Sequence, residues 1–249
     1  QEFRKLGYHM ILCNTGGGLE KRKGYMGLLL EKKVDGIVLV GSVFREKAGN
    51  RHILDTASVV PVVMLNSFLD GENIYSVKCD DEAATEEIVE SLVRRGYREI
   101  VYVYDVDSFS GLAKLDGFRA GMKEAGLECR PYSILKTESG ITGGGKALEQ
   151  LEAANASYRA IAASEDILAA GVLKALKRRG KKVPEDVAVF GYNDSVIARC
   201  TSPGLSSVDN KVGALAKAAA NILCWVLHGE EIPSHHTIVP ELVFRQSCP

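Results

Sequence analysis

Polar side chains that directly follow predicted buried strands are the residues best placed to do chemistry in this chain. Residues 187–190 form a short all-apolar run, which is typical of a parallel strand buried on both faces. Gly191 ends the run, and Tyr192, Asn193 and Asp194 follow it. Ligands of open α/β sheets bind beyond the carboxyl ends of the strands, where an Asn-Asp pair offers acceptors and an amide donor. The alternative is a loop in which Asn and Asp only form the turn, and these residues alone favour neither.

The ends of other predicted strands also carry polar residues. These residues are Asn14, Thr15, Ser42, Asp80, Asp105, Thr137, Ser164, Glu165 and Asp166. Phe44, Phe109 and Tyr192 lie close to them in the sequence and could stack on the apolar face of a ligand. Each polar residue alone is more often a helix cap than a ligand contact. Their shared position in the topology is what predicts one binding site for a small molecule.

The sequence offers no positive case for catalysis, a metal or a cofactor. Residues 16–18 are three glycines between a predicted strand and a helix, but they lack the spacing of a dinucleotide loop and the Lys-Ser/Thr of a P-loop. Residues 143–145 are also glycines, which we interpret as a permissive helix entry. The pair His235-His236 is a weak candidate for a metal site, because no second pair of ligands stands at a suitable spacing.

Composition places the chain among ordinary globular proteins. Its 249 residues are 46% hydrophobic and 25% charged, with a net charge of -1, so no overall field draws it to nucleic acid or to a membrane. The six cysteines are scattered, which favours reduced thiols in a cytoplasmic protein over disulfides. No apolar run approaches the roughly 20 residues of a membrane span, and the charged amino end does not resemble a signal peptide.

Strands and helices alternate along the whole chain, which predicts parallel sheets covered by helices. The predicted strands are residues 10–13, 37–40, 62–65, 75–79, 100–104, 132–135, 160–163, 187–190, 237–239 and 242–244. The predicted helices are residues 2–6, 20–33, 45–57, 80–95, 112–125, 145–154, 165–179 and 209–227, with Ser164 as a cap. Ten strands are many for one sheet, so we expect two α/β lobes.

Several motifs resemble the lactose/galactose repressor family of bacterial transcription regulators. Residues 183–194 (VPEDVAVFGYND) and 201–208 (TSPGLSSV) are similar to a signature of that family, as are residues 96–100 (GYREI) and 240–243 (PELV). The likeness extends over essentially the whole chain. It implies the effector-binding core of such a regulator without its DNA-binding head. The fold implied is α/β: two doubly wound parallel-sheet lobes of the periplasmic-binding-protein type, joined by three crossovers.

The resemblance also implies a function. The amino-terminal lobe would comprise residues 1–96 with 209–231, and the carboxyl-terminal lobe residues 97–208 with 232–249. A small sugar-like effector would bind between them and control DNA binding by a helix-turn-helix outside these residues, in a homodimer. Because the chain opens on a helix with no strand before it, we expect the intact protein to extend beyond Gln1.

Three positions depart from the family pattern and concern ligand contacts. Lys114 stands where the family usually has arginine, Glu165 where it has asparagine, and Asn193 where it has aspartate. The resemblance therefore implies an unusual ligand, or an altered charge balance around an ordinary one. Two alternatives remain open at this point: the solute-binding protein of a sugar importer, and a nucleotide or sugar-phosphate hydrolase that uses the same cleft.

Overall fold

The computed structural model describes residues 2–5, 7–16, 18–46 and 49–249. The strands are β1 Ile37–Val40, β2 Val62–Leu65, β3 Ile74–Cys79, β4 Ile100–Tyr104, β5 Ile134–Lys136, β6 Ala160–Ala163, β7 Ala188–Phe190, β8 Ser207–Asp209, β9 His235–Ile238 and β10 Glu241–Val243. The helices are α1 Glu2–Lys5, α2 Leu19–Glu31, α3 Arg51–Ala57, α4 Asp81–Arg94, α5 Phe109–Glu124, α6 Gly140–Ala153, α7 Asp166–Arg178, α8 Val196–Cys200 and α9 Val212–Leu227, with a short 3₁₀ helix at Ser42–Phe44.

The first of two compact units comprises Gln1–Cys79 and Val212–Ile238. Its strands are all parallel and lie in the order β1-β2-β3-β9. Alternate residues of β2 point to opposite faces of the sheet: Met64 packs with α2 and α3, and Val63 packs with α9. Helices therefore cover both faces, and the all-apolar composition of β2 follows from that double burial.

The second unit comprises Asp80–Lys211 and Val239–Pro249. Its parallel sheet has the order β5-β4-β6-β7, with α4 and α5 packed on one face and α6 and α7 on the other. A small antiparallel pair, β8 with β10, continues from β7 through a bridge between Phe190 and Ser206. Both units are doubly wound α/β, and the chain passes between them three times. The predicted fold class is confirmed.

The caps explain where the helices of the second unit begin. Of the two aspartates at the start of α4, which the sequence offers as alternative caps, Asp80 accepts a hydrogen bond from the backbone N–H of Ala83 and caps the helix. Ser164 does not cap α7: that position belongs to Glu165, whose side chain makes no capping hydrogen bond. The glycines at 143–145 are not a helix entry, because α6 begins at Gly140 and contains them.

One predicted strand is absent, and one observed strand was not predicted. Residues 10–13 form no strand, and the side chains of Met10, Ile11 and Leu12 are exposed. An apolar run becomes a strand only where a neighbouring strand accepts its backbone hydrogen bonds, and the described residues supply none to it. Conversely, β8 was not predicted, because its three residues are polar at both ends; its pairing with β10 delays the start of α9 to Val212.

The bounds of the two units differ from those of the predicted lobes at two elements. Helix α4 was predicted in the first lobe but packs on α5 in the second unit, where the main chain of Glu82 leaves no room for a side chain at Gly117. Strand β9 was predicted in the second lobe but pairs with β3 in the first unit. Among the described residues, no helix is long and apolar enough to cross a membrane.

Candidate functional site

The strand order of the second unit places a topological switch point at the carboxyl ends of β4 and β6. The connection from β4 leads through α5 to β5 on one side, while the connection from β6 leads through α7 to β7 on the other. Ligands of open α/β sheets bind where neighbouring connections diverge in this way. Asp105 follows β4 and Ser164 follows β6, and the Ser164 hydroxyl lies 3.4 Å from the Asp105 carboxylate. We call these ends and the side chains around them the switch-point edge.

Lys114 is buried at the switch-point edge. This residue of α5 is 6% exposed, and its Nζ donates a hydrogen bond of 3.1 Å to the carbonyl oxygen of Ser164. The same Nζ lies 3.8 Å from the centroid of the Tyr192 ring, close enough for a cation–π interaction. A buried ammonium is costly unless it is paired or hydrogen-bonded. One of its three N–H groups binds Ser164, and the ring stabilises the charge from a second direction.

Tyr192, which follows β7, connects Lys114 with the start of α4. Its hydroxyl donates a 2.7 Å hydrogen bond to Oδ1 of Asp81, the first residue of α4. Both side chains are buried. Tyr192 was expected to stack on a ligand. The Lys114 ammonium already covers one face of its ring, so that face is not open to a ligand.

Asp166 acts as an internal acceptor, and both of its carboxylate oxygens have protein partners. Oδ1 accepts from the hydroxyl of Ser207 at 2.6 Å, and Oδ2 accepts from the backbone N–H of Ser195 at 2.7 Å. Burial raises the pKa of this carboxyl above its ordinary value, while the hydrogen bonds from Ser207 and Ser195 oppose that shift. Asp166 therefore holds the segment after β7 in place.

Asn193 adopts a backbone conformation that is unusual for a residue with a side chain, with φ at 103°. Its N–H donates to the carbonyl of Val208 at 2.9 Å, and its Oδ1 accepts from the Asn210 amide at 2.9 Å. Asp194 forms an ion pair with Arg245 at 2.6 Å. Asp194 therefore has the structural role that the turn interpretation predicts. The amide N–H₂ of Asn193, in contrast, makes no hydrogen bond to the described residues.

Glu165 differs from its neighbours because its carboxylate has no hydrogen-bond partner among the described residues. The side chain is half-buried at the N-cap position of α7. Burial is the main cause that raises the pKa of Glu165, followed by the negative charge of Asp105, while Lys114 opposes the shift. At the switch-point edge, the Glu165 carboxylate can therefore accept hydrogen bonds from a ligand without losing one from the described residues.

Tyr102 belongs to this site and was missed from the sequence. It is 1% exposed, stacks on Phe118 at 5.1 Å between ring centroids, and its hydroxyl has no hydrogen-bond partner in the described part of the chain. Burial and the charges of Asp81 and Asp105 raise its pKa well above the ordinary value, which keeps the hydroxyl protonated. The available signal was a tyrosine, rather than a phenylalanine, at a fully buried position of β4.

The remaining predicted site residues are placed as follows. Thr137 donates to the carbonyl of Gly143 at 3.0 Å, Asp80 caps α4, and Phe109 is the first residue of α5. In the first unit, Asn14 accepts from the N–H of Gly16, and Ser42 and Phe44 lie in the 3₁₀ helix, with the Arg22 guanidinium 5.9 Å from the centroid of the Phe44 ring. Hydrogen bonds and a cation–π contact connect Lys114 and Tyr192 with Ser164 and Asp105 at one edge, and Glu165 directly follows Ser164 in the chain.

Comparison with known proteins assigns the chain to a family. Residues 89–248 match the family of periplasmic binding protein-like domains. An HTH-type transcriptional regulator of Lachnoclostridium phytofermentans is 36% identical over 249 residues, which cover 99% of this chain and 75% of that protein. A sugar-binding transcriptional regulator of the LacI family from Escherichia coli, solved with phosphate, has a TM-score of 0.88 at 27% identity and covers 99% of this chain and 89% of its own. The chain belongs to the lactose/galactose repressor family.

A further relative is the solved complex of the transcriptional regulator CelR with cellobiose. It has a TM-score of 0.87 at 25% identity, and the match covers 99% of this chain and 75% of the CelR chain. Since the relatives are transcription regulators, the expectation that this lactose/galactose repressor family member is not an enzyme is confirmed. The solute-binding protein of an importer is not favoured.

Two of the three departures from the family pattern meet at the switch-point edge. Lys114 and Glu165 act on each other electrostatically there, whereas Asn193 lies at the end of β7 and contacts Asn210. The described residues of this family member contain no group of three or more acidic, His or Cys side chains suited to a metal. His235 contacts Asp70, and His236 contacts the carbonyl of Pro233.

Proposed function

We propose that this chain senses a small polar effector, a sugar or sugar derivative, and binds it at the switch-point edge of the second unit. The observation that carries the proposal is the buried ammonium of Lys114, which keeps N–H groups beyond the one bound to Ser164. A buried, oriented donor at a topological switch point is typical of a ligand site. The cellobiose complex of CelR and the sugar-binding relative from Escherichia coli support a sugar as the ligand class.

The remaining parts of the proposal follow from the regulator family. Effector binding would control the attachment of a helix-turn-helix to operator DNA, in the cytoplasm and as a homodimer. An effector can shift such an equilibrium only by its difference in affinity for the two states of the regulator. Sedimentation equilibrium of the chain tests the dimer directly, and a monomer at every concentration would contradict it.

Binding without turnover is the first expected result. Calorimetry of the chain against a library of sugars and nucleosides should identify a sugar that binds and is recovered chemically unchanged. A product that forms at a rate proportional to the protein concentration would contradict the assignment as a sensor. A library in which nucleosides bind and no sugar does would contradict the ligand class.

Replacement of Lys114 tests the position of the site. Lys114→Met keeps the aliphatic stem and removes the ammonium, so a ligand acceptor that faces it should lose its donor at a cost of about 1–3 kcal/mol. Affinity for the sugar found in the library should then fall about tenfold or more. Stability without ligand should also fall, because the variant leaves the Ser164 carbonyl without this donor.

Lys123→Ala is the matched control for that variant. Lys123 lies on the same helix, α5, with an exposed side chain near its end, and its replacement should change neither affinity nor stability appreciably. If Lys114→Met binds the sugar as tightly as the parent, the ligand is not held at the switch-point edge.

A further inference from the structure

The switch-point edge carries more negative than positive charge toward a ligand. Asp105 and Glu165 follow the ends of the neighbouring strands β4 and β6. Ser164, the residue before Glu165, contacts Asp105 through its hydroxyl. Glu165 has no hydrogen-bond partner among the described residues, and the negative charge of Asp105 helps to raise its pKa. Two carboxylates at neighbouring strand ends are well suited to a group that donates several hydrogen bonds.

The nearby cations are engaged by other partners. The Lys114 ammonium is directed to the Ser164 carbonyl and to the Tyr192 ring. Arg245 pairs with Asp194, and Lys136 pairs with Asp107 after β4. An anionic ligand would therefore meet two carboxylates and only the residual donors of one buried ammonium, and like charges at close range repel strongly outside bulk water.

Tyr102 supplies an independent indication of a ligand. Its hydroxyl is buried and has no hydrogen-bond partner among the described residues, which is rare and costly in a folded protein. The Tyr102 ring stacks on Phe118, which lies one turn of α5 after Lys114, so Tyr102 packs beside the buried lysine of the switch-point edge. A ligand hydroxyl that reaches Tyr102 would satisfy it.

From these observations we propose that the effector is an amino sugar, whose ammonium group is received by Glu165 and Asp105 and whose hydroxyl groups are bound by Lys114 and Tyr102. The proposal rests on the function proposed above and deepens it by naming the charge of the ligand. Neutral sugars satisfy the hydroxyl partners but leave the two carboxylates uncompensated. Sugar phosphates add negative charge beside them.

The amino sugar requires Glu165 in its charged form. Burial and Asp105 raise the pKa of Glu165, Asp166 adds to the shift, and Lys114 opposes it. A bound ammonium favours the charged form of Glu165. At a pH where Glu165 is partly protonated, binding should therefore release protons from its carboxyl group. Affinity should be greatest between the raised pKa of Glu165 and the pKa of the sugar amine, and it should fall as the pH decreases through the former.

Calorimetry with sugars matched in shape and different in charge tests the proposal. The probes are the 2-amino-2-deoxyhexoses of the gluco, galacto and manno series. Each is compared with its parent hexose, with its own N-acetyl derivative and with the 6-phosphate of the parent hexose. In at least one series the amino sugar should bind about tenfold or more tightly than the other three. A hexose, N-acetylhexosamine or hexose phosphate that binds more tightly than the amine would overturn the charge assignment and leave the sugar-sensing function standing. Absence of binding by every member would overturn the amino-sugar proposal, and the wider sugar library would then decide the sugar-sensing function.

Variants at the edge separate charge from shape. Glu165→Gln is nearly isosteric and should lose most of the preference for the amino sugar, while affinity for the parent hexose stays within about twofold. Glu149→Gln, an exposed acid on α6, should retain the full preference. If Glu165→Gln keeps the preference, Glu165 does not receive the ammonium group.

A second measurement needs only the parent chain. Titration with the amino sugar in two buffers of different ionisation enthalpy counts the protons released on binding. We expect release near the raised pKa of Glu165 and none between that pKa and the pKa of the sugar amine, above which the amine itself must take up a proton to bind. Proton uptake there, or affinity that rises as the pH falls, would overturn the proposal even if Glu165→Gln does not fold.

Discussion

Gly144→Ala should lower the free energy of unfolding by about 3 kcal/mol or more. A Cβ atom at this position of α6 would lie 2.6 Å from the backbone nitrogen of Val172 and still closer to the carbonyl oxygen of Leu168, both on α7. Neither atom belongs to a side chain that can turn away, so the two helices would have to separate. Overpacking a tight contact costs about 1–3 kcal/mol and sometimes more. Urea denaturation followed by circular dichroism measures the loss.

Gly145→Ala is the control for that prediction. The next residue of the same helix has open space around its Cβ position, and alanine is a better helix former than glycine by up to about 1 kcal/mol. The control should therefore be neutral or more stable than the parent. Equal stability of the two variants would show that α6 and α7 do not approach each other through Gly144.

Asp166→Ala is the second substitution with a large expected effect. It leaves the Ser207 hydroxyl and the Ser195 N–H without acceptors, and each buried unsatisfied group costs about 1–3 kcal/mol. Some of this loss is offset, because the buried charge of Asp166 is also removed. We expect a net destabilisation of about 2–4 kcal/mol, measured by urea denaturation, with the exposed Asp116→Ala on α5 nearly neutral.

The pH dependence of Asp166→Asn tests the same carboxylate independently. Folding raises the pKa of Asp166, chiefly through burial, so the folded state binds the proton more tightly than the unfolded state. The free energy of unfolding of the parent should therefore fall, relative to that of Asp166→Asn, as the pH rises from the ordinary pKa through the raised one. Denaturation at a series of values between about pH 4 and pH 7 covers that window. A constant difference between the two proteins would contradict the burial of a charged Asp166.

Much of the sheet structure could be predicted because parallel strands buried on both faces are apolar throughout. Strands β1, β2, β4 and β6 occupy the predicted residues. The apolar run at residues 10–13 shows the limit of this signal, since a run of apolar residues does not contain the partner that a strand needs. Strand β8 shows the converse, because its pairing with β10 depends on residues 30 or more positions away in the sequence.

The candidate site could be predicted only by position. The alternation of strands and helices predicts that Asp105 and Glu165 follow the carboxyl ends of parallel strands, whereas the structure was needed to show that β4 and β6 are neighbours. The roles of the side chains depend on contacts between distant elements, which periodicity does not contain. Asp166 was predicted as a ligand contact, but both of its oxygens bind Ser207 and Ser195, while Tyr102 gave no signal beyond its hydroxyl.

The three passages of the chain between the units have a consequence for biosynthesis. The first unit needs α9 and β9, which are synthesised after nearly all of the second unit, because β9 completes the edge of its sheet beside β3. The second unit in turn needs the residues after β9: β10 pairs with β8, and the Ser247 hydroxyl binds the backbone of Val189 and Ser206. The first unit cannot reach its final packing on the ribosome until residue 238 has left the exit tunnel, and the second unit cannot until residue 247 has left it. The two units should therefore acquire protease resistance together, late in translation, rather than one after the other.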